Sequence, residues 1–309
     1  MKNILVSGLV NVETTVPVRK FPVEYYPIDY PFFGISTAVS GVGYNITAAL
    51  TTLGDKVMLC GMVGDDFQGE YIRRSLARLQ VDTGGLRTAL CQTPSSAILY
   101  DPQGKRQVYC DLKDIQETSY GFSGDTCRDA DLVVACNINF NRPLLAAAKA
   151  ANKTVATDVH VLSDIHDDYN RDFMAAANIL FLSDEGVGEN YAPFLRALAQ
   201  TYHNEIIVLG RGGKGAALWQ NRDGSILELP SVQVGEIVNT VGAGDALFSG
   251  FLHHYAAGCT PEEALIRAQI FASAKIRASG GAKGFISEEK IEAFYSQFAQ
   301  QMKQSAVYR

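Results

Sequence analysis

The chain has 309 residues, 47% of them hydrophobic and 19% charged, enough to bury a sizeable core and too apolar for a disordered or fibrous protein. A formal net charge of −6 without any Lys/Arg run argues against a nucleic-acid partner. Cys60, Cys91, Cys110, Cys127, Cys136 and Cys259 are scattered with no C-x-x-C pair, which indicates neither a zinc site nor a disulfide framework and predicts mostly buried thiols.

Lys2 to Gly8 carries one charge and a short apolar run, too short for a signal peptide or a membrane span, so a cytoplasmic location and no membrane partner are expected. Ile4 to Leu9 reads as a buried strand. Residues 11–40 break the pattern: Pro17, Pro22, Pro27 and Pro31 oppose a helix. Phe21, Tyr25, Tyr26, Tyr30, Phe32 and Phe33 are too many aromatics for a solvated linker, and they are expected to cover something. The cluster Ser40-Gly41-Val42-Gly43-Tyr44-Asn45 then opens a helix over 43–54, its glycines permitting close backbone approach and Asn45 projecting from the first turn. Val57 to Cys60 reads as a strand, and 66–79 as an amphipathic helix with apolar Phe67, Tyr71, Ile72, Leu76 and Leu79.

Ser95 to Tyr100 and Lys105 to Cys110 are β-like runs around the turn signal Asp101-Pro102-Gln103-Gly104, a hairpin. With segment 11–40 it would build a small projecting sheet. That sheet is either a flap extending the core or, since exposed aromatics in such number need a partner, a substrate lid or dimer surface. The α/β rhythm resumes with strands at Leu132–Ala135, Val155–Asp158, Ile179–Leu182 and Ile206–Leu209, and helices at 142–151 and near 190–201. Such alternation favours a mainly parallel sheet with helices on both faces and ligands at the carboxyl ends of the strands.

Arg211-Gly212-Gly213-Lys214-Gly215 is not a Walker A loop, because Gly follows the Lys where Ser or Thr would be needed. Asn239-Thr240-Val241-Gly242-Ala243-Gly244-Asp245 opens into the apolar helix Ala246–Leu252. Small residues there let backbone N–H groups approach an anion at the positive end of a helix. Gly242-Ala243-Gly244 lacks the third glycine of a dinucleotide fingerprint. Asp245 would repel an anion unless it accepts a proton, so the pair suggests phosphoryl transfer; the plainer reading is a carboxylate complementing a helix dipole. The helix closes at Gly258, where His253 and His254 point different ways and complement its C-terminus. Thr260-Pro261-Glu262-Glu263 supplies the next N-cap, a proline and a capping-box Glu.

Taken together, the chain resembles the ribokinase-like (PfkB) carbohydrate kinase family over its whole length. The resemblance is carried by Asn239–Asp245 with Ser249-Gly250-Phe251, and by Gly41, Gly43, Asn45, Thr47, Gly54 and Gly64. It is consistent with a large α/β domain of residues 1–10, 41–94 and 113–309; on the physical grounds above, 11–40 and 95–112 are expected to form a small β-lid inserted in it, closing over the acceptor and packing against its copy in a homodimer. Asp245 then corresponds to the general base, and the N–H groups of Gly242, Ala243 and Gly244 to the anion hole. Asn11, Glu13, Gly41, Gly43 and Asn45 match acceptor-binding positions, with Ser40 where Gly or Ala is usual and Glu13 where Asp is usual. Arg211, Gly213, Gly215 and Thr240 fall on the ATP side. Glu185, with Asp184 second, stands in for the acid holding Mg²⁺ through water. A K⁺ site is implied at Asn239, Val241, Ser279, Gly281 and Gly284, with Asn239 replacing the usual Asp. The implied activity is ATP-dependent phosphorylation of a sugar or sugar-like hydroxyl. Gly41-Val42-Gly43 followed by Asn45, together with Asn137 in Cys136-Asn137-Ile138, is similar to pseudouridine-type nucleoside kinases, an alternative acceptor class. A silent sugar sensor is disfavoured by the intact Asp245.

Overall fold

A computed structural model describes residues 1–103 and 105–309; Gly104, in the turn expected of the hairpin, lies outside the described residues. The chain opens with β1 (Asn3–Ser7), leaves for β2 (Asn11–Pro17) and β3 (Ser36–Ser40), and returns through α1 (Val42–Thr52). There follow β4 (Lys56–Gly64), α2 (Phe67–Arg78), β5 (Leu86–Leu90), then the hairpin β6 (Ser95–Tyr100) and β7 (Arg106–Asp111). The central run is β8 (Leu132–Ala135), α3 (Arg142–Ala150), β9 (Thr154–Val161), α4 (Arg171–Ala176), β10 (Ile179–Ser183), α5 (Tyr191–Tyr202) and β11 (Ile206–Gly210). The last third adds β12 (Ala216–Gln220), β13 (Ile226–Leu229), α6 (Ala243–Ala256), α7 (Pro261–Lys275), α8 (Glu288–Gln304) and β14 (Val307–Tyr308).

The main sheet has the order β14-β13-β12-β11-β10-β9-β8-β1-β4-β5. From β5 to β11 neighbouring strands are parallel, and β12, β13 and β14 extend the sheet antiparallel. Strands buried on both faces must be apolar throughout, as Leu132–Ala135 is, and two cores result. One packs the sheet against α1, α2, α6, α7 and α8, with Phe181 of β10 against the rings of Phe248 and Phe251 at 4.8 and 5.3 Å. The other packs it against α3, α4 and α5. Because β1 pairs with β4 on one side and β8 on the other, the strand order reverses at β1, a switch point of the kind at whose carboxyl end ligands bind in open α/β sheets.

A second sheet, ordered β3-β2-β6-β7, is assembled from the two irregular segments. Residues between β2 and β3 form no strand, and Tyr25, Tyr26, Tyr30, Phe32 and Phe33 are exposed, so within the chain they do not cover the surface they were expected to cover. Among the described residues no helix is long and apolar enough to cross a membrane.

Three local expectations are corrected. Phe67 is exposed, because as the first residue of α2 it lies before the docked face, which Ile72 and Leu76 bury. Only Cys60, Cys127 and Cys136 are buried; Cys91 and Cys110 are exposed on the edge of the fold, and Cys259 is half-buried. His253 and His254 do not diverge: their Nε2 atoms converge on Glu288 at 3.6 and 3.2 Å, because α8 starts beside them. His253 Nδ1 also meets Asp55 Oδ2 at 2.7 Å, tying α6 to the end of α1.

Candidate active site

Gly242 caps α6 at φ 78°, with no side-chain cap. A Cβ there would lie 2.4 Å from the carbonyl oxygen of Gly281, so both the left-handed backbone and the close approach require glycine. The turn is braced from behind, where Asn239 Oδ1 accepts from the Val241 N–H at 2.7 Å. Ala243 differs from its expected role, since its N–H already donates to the Thr240 carbonyl at 3.2 Å. The N–H groups of Gly242 and Gly244 have no backbone acceptor among the described residues, and nothing stands where a Cβ of Gly244 would be. An open, uncapped helix start of this kind favours an anion.

The other glycine cluster brings a second helix start to the same place. Gly43 lies so close to β1 that a Cβ would be 2.8 Å from the carbonyl carbon of Gly8, and its N–H donates to the Leu9 carbonyl at 2.9 Å. This seats the first turn of α1 beyond the carboxyl end of β1. Asn45 Nδ2 then donates to Asp245 Oδ2 at 2.7 Å, joining residues 200 apart in sequence. Burial pushes the Asp245 carboxyl above the usual range, against the opposing effects of the Asn45 hydrogen bond and nearby His160.

The small sheet supplies the opposite wall. Asn11 and Glu13 alternate onto one face of β2, and Ser96 and Arg106 lie on that face from β6 and β7. Buried Glu13 accepts from Ser40 Oγ at 3.1 Å, and Ser40 in turn lies 3.4 Å from Asn45 Oδ1, so one chain of contacts runs from Glu13 to Asp245. Desolvation raises the Glu13 carboxyl above its ordinary value, with Ser40 and Lys275 pulling it down. Asn11 donates to Ser96 Oγ at 3.1 Å, while its buried Oδ1 has no partner among the described residues. Arg106 reaches from the hairpin to Thr240 Oγ1 at 3.5 Å.

Other expected residues lie apart from this constellation. Asn137, at the end of β8, gives its amide to Asn170 at 3.0 Å. Arg211 is held by Tyr191 at 3.2 Å and Glu228 at 3.3 Å, so its guanidinium is engaged within the fold. The loop it begins closes on itself, Arg211 N–H to Gly215 carbonyl at 2.9 Å, and leaves Gly213 with open space around it. Glu185 is exposed just past β10, with no side-chain partner among the described residues. Ser279 is exposed, and Gly281 packs on Asn45 and Ser40.

Sequence reading missed Lys275, Arg106 and His160. Fully buried Lys275 donates from Nζ to the carbonyls of Val241 and Gly280. Desolvation brings its ammonium down to about 8, with Asp245 and Glu13 opposing. The one signal for it was a lysine closing the apolar and small run Ile270–Ala274. His160 sits at φ 59° where β9 loses register against β10, a local irregularity without a sequence mark. Two of the groups expected around K⁺ are engaged within the chain: the Val241 carbonyl, with the adjoining carbonyl of Gly280, accepts from the Lys275 ammonium, and Asn239 Oδ1 accepts from a backbone N–H.

The sequence profile described as pfkB family carbohydrate kinase matches residues 1–288. An ATP-dependent ribose-1-phosphate kinase from Halopiger xanaduensis is 29% identical over 309 aligned residues, covering 96% of this chain and 99% of the relative. An acarbose 7(IV)-phosphotransferase from Actinoplanes is 25% identical over 269, covering 86% and 88%. Among solved structures, a microbiome-derived acarbose kinase, Mak1, superposes with a TM-score of 0.86 over 96% of this chain and 99% of its own, at 22% identity, a likeness of fold.

Proposed function

This chain belongs to the pfkB family of carbohydrate kinases, and on that premise we propose that it transfers the γ-phosphoryl group of ATP to a hydroxyl of a sugar or sugar-like molecule. The observation that carries the reading is the 2.7 Å hydrogen bond between Asn45 and Asp245, which fixes a carboxylate at an uncapped helix start. Asp245 takes the proton of the acceptor hydroxyl, and its raised proton affinity suits that task. The N–H groups of Gly242 and Gly244 face the charge on the transferred group; loose phosphoryl transfer needs chiefly alignment and such stabilisation.

Glu13, Asn11 and Asn45 hold the acceptor. Carboxylate, amide and hydroxyl groups gathered beside Asp245 match sugar hydroxyls, and the unpartnered Asn11 Oδ1 offers one of them an acceptor. The loop 211–215 and Thr240 flank the nucleotide. Exposed Glu185, without a side-chain partner among the described residues, fits Mg²⁺ held through water, a cation that retains several waters and needs few protein ligands. When bound, that ion would supply charge neutralisation on the phosphates. Residues 11–40 and 95–112 act as a lid on the remaining body and, through their exposed aromatics, as a homodimer surface. ATP consumption measured against a panel of sugars and nucleosides tests the reading: turnover on a sugar supports it, preference for nucleosides replaces the acceptor class, and none at all with any member overturns it.

A further inference from the structure

The ground behind the anion turn is filled from within the chain. Lys275, the last residue of α7, has no exposed surface. Its Nζ donates to the carbonyl of Val241, the residue before the Gly242 cap, and to that of Gly280 at 2.8 Å. Gly281, next in sequence, is the residue on which both Gly242 and Asn45 rest. A buried ammonium is costly unless compensated. Here two carbonyl dipoles touch it, and the carboxylates of Asp245 on α6 and Glu13 on β2 attract it, against repulsion from Arg106 on β7.

A monovalent metal ion would need these same carbonyl oxygens and the space the ammonium holds. Asn239 could contribute little, since its Oδ1 accepts from the Val241 N–H at 2.7 Å. Ser279 stands exposed. The residues present therefore do not fit K⁺.

We propose that the Lys275 ammonium is a tethered replacement for a monovalent cation, a positioning residue that fixes the Val241 and Gly280 carbonyls, and so the anion turn, and makes transfer independent of K⁺. This rests on the kinase reading for its effect on turnover, but its structural half can be read without it. Lys275 touches no reacting atom; it acts through the backbone of the turn.

The test compares the full chain with Lys275→Ala in KCl and in tetramethylammonium chloride at equal ionic strength, with and without methylammonium. Wild-type turnover and melting temperature should be the same in both salts. The variant should lose about tenfold to a hundredfold in kcat with acceptor KM little changed, the scale of a weakened electrostatic site, and both kcat and melting temperature should recover with KCl or methylammonium. Saturable K⁺ activation of the wild type, or a variant indifferent to both cations, overturns the proposal. Should the variant fail to fold, ATP-analogue affinity of the wild type in the two salts decides: equal values support, K⁺-enhanced binding overturns. If no acceptor is turned over, the kinase reading fails while the melting series still judges the lysine.

Discussion

Helices α6 and α7 follow one another in the chain, yet their beginnings are built in opposite ways. At α7, Thr260 accepts from the Glu263 N–H at 3.3 Å, Glu263 Oε2 accepts from the Thr260 N–H at 3.2 Å, and Pro261 removes a donor, so the orphan groups of the first turn are largely satisfied internally. At α6, a left-handed glycine leaves donors open and a carboxylate stands among them. A helix start that serves stability closes its donors; one that serves a ligand, as proposed for α6, leaves them open and needs neighbours such as Asn45 and Lys275 for order.

The sharpest way to break this contrast is Asp245→Asn. Turnover should fall about 10²- to 10⁴-fold, the usual cost of losing a general base, with little change in melting temperature. Near wild-type turnover would remove Asp245 from its role. The wild-type rate should also fall as pH is lowered, beginning above the ordinary carboxylate range, because the raised Asp245 carboxyl must be ionised to accept a proton. A pH profile flat down to that range would contradict it.

Next in size, Glu13→Ala should raise acceptor KM by about tenfold or more, since hydrogen bonds to charged groups contribute about 1.5–3 kcal/mol, while calorimetry finds ATP affinity nearly unchanged. Equal losses for both ligands would place Glu13 outside the acceptor site. Replacing Phe32 and Phe33 with Glu should lower transfer and reduce the mass seen by light scattering, leaving the body folded. Unchanged mass with undiminished transfer would remove the lid and dimer roles together. The smallest effect is expected at the stability-built start: Thr260→Ala should cost about 1 kcal/mol in denaturant unfolding and leave kcat/KM alone.

Both helix starts were legible in the sequence; the contacts that brace that of α6 were not. A capping box is a local device, and Thr260, Pro261 and Glu263 announce it in four consecutive positions. The glycines and Asp245 announce an anion turn in the same way, and continuous apolar runs announce buried parallel strands. What sequence could not show is what comes from elsewhere: Lys275 lies 34 residues from the Val241 carbonyl it binds, and Arg106 lies 134 from Thr240. Arg106 has no periodicity or neighbour that marks it, and the apolar run before Lys275 marks its burial but not its partners. Phe67 misled because period alone cannot say where along a helix the docked face begins, and His253 and His254 because their shared partner Glu288 belongs to another helix.

The contact between Arg106 and Thr240 joins the small sheet, which carries Glu13, to the loop that leads into the anion turn. If these are the acceptor and nucleotide surfaces proposed above, any coupling the bond carries must be reciprocal: the factor by which the acceptor changes nucleotide affinity is the factor the nucleotide returns to the acceptor. On the proposed kinase reading, Arg106 would then be the place where filling one half is felt in the other.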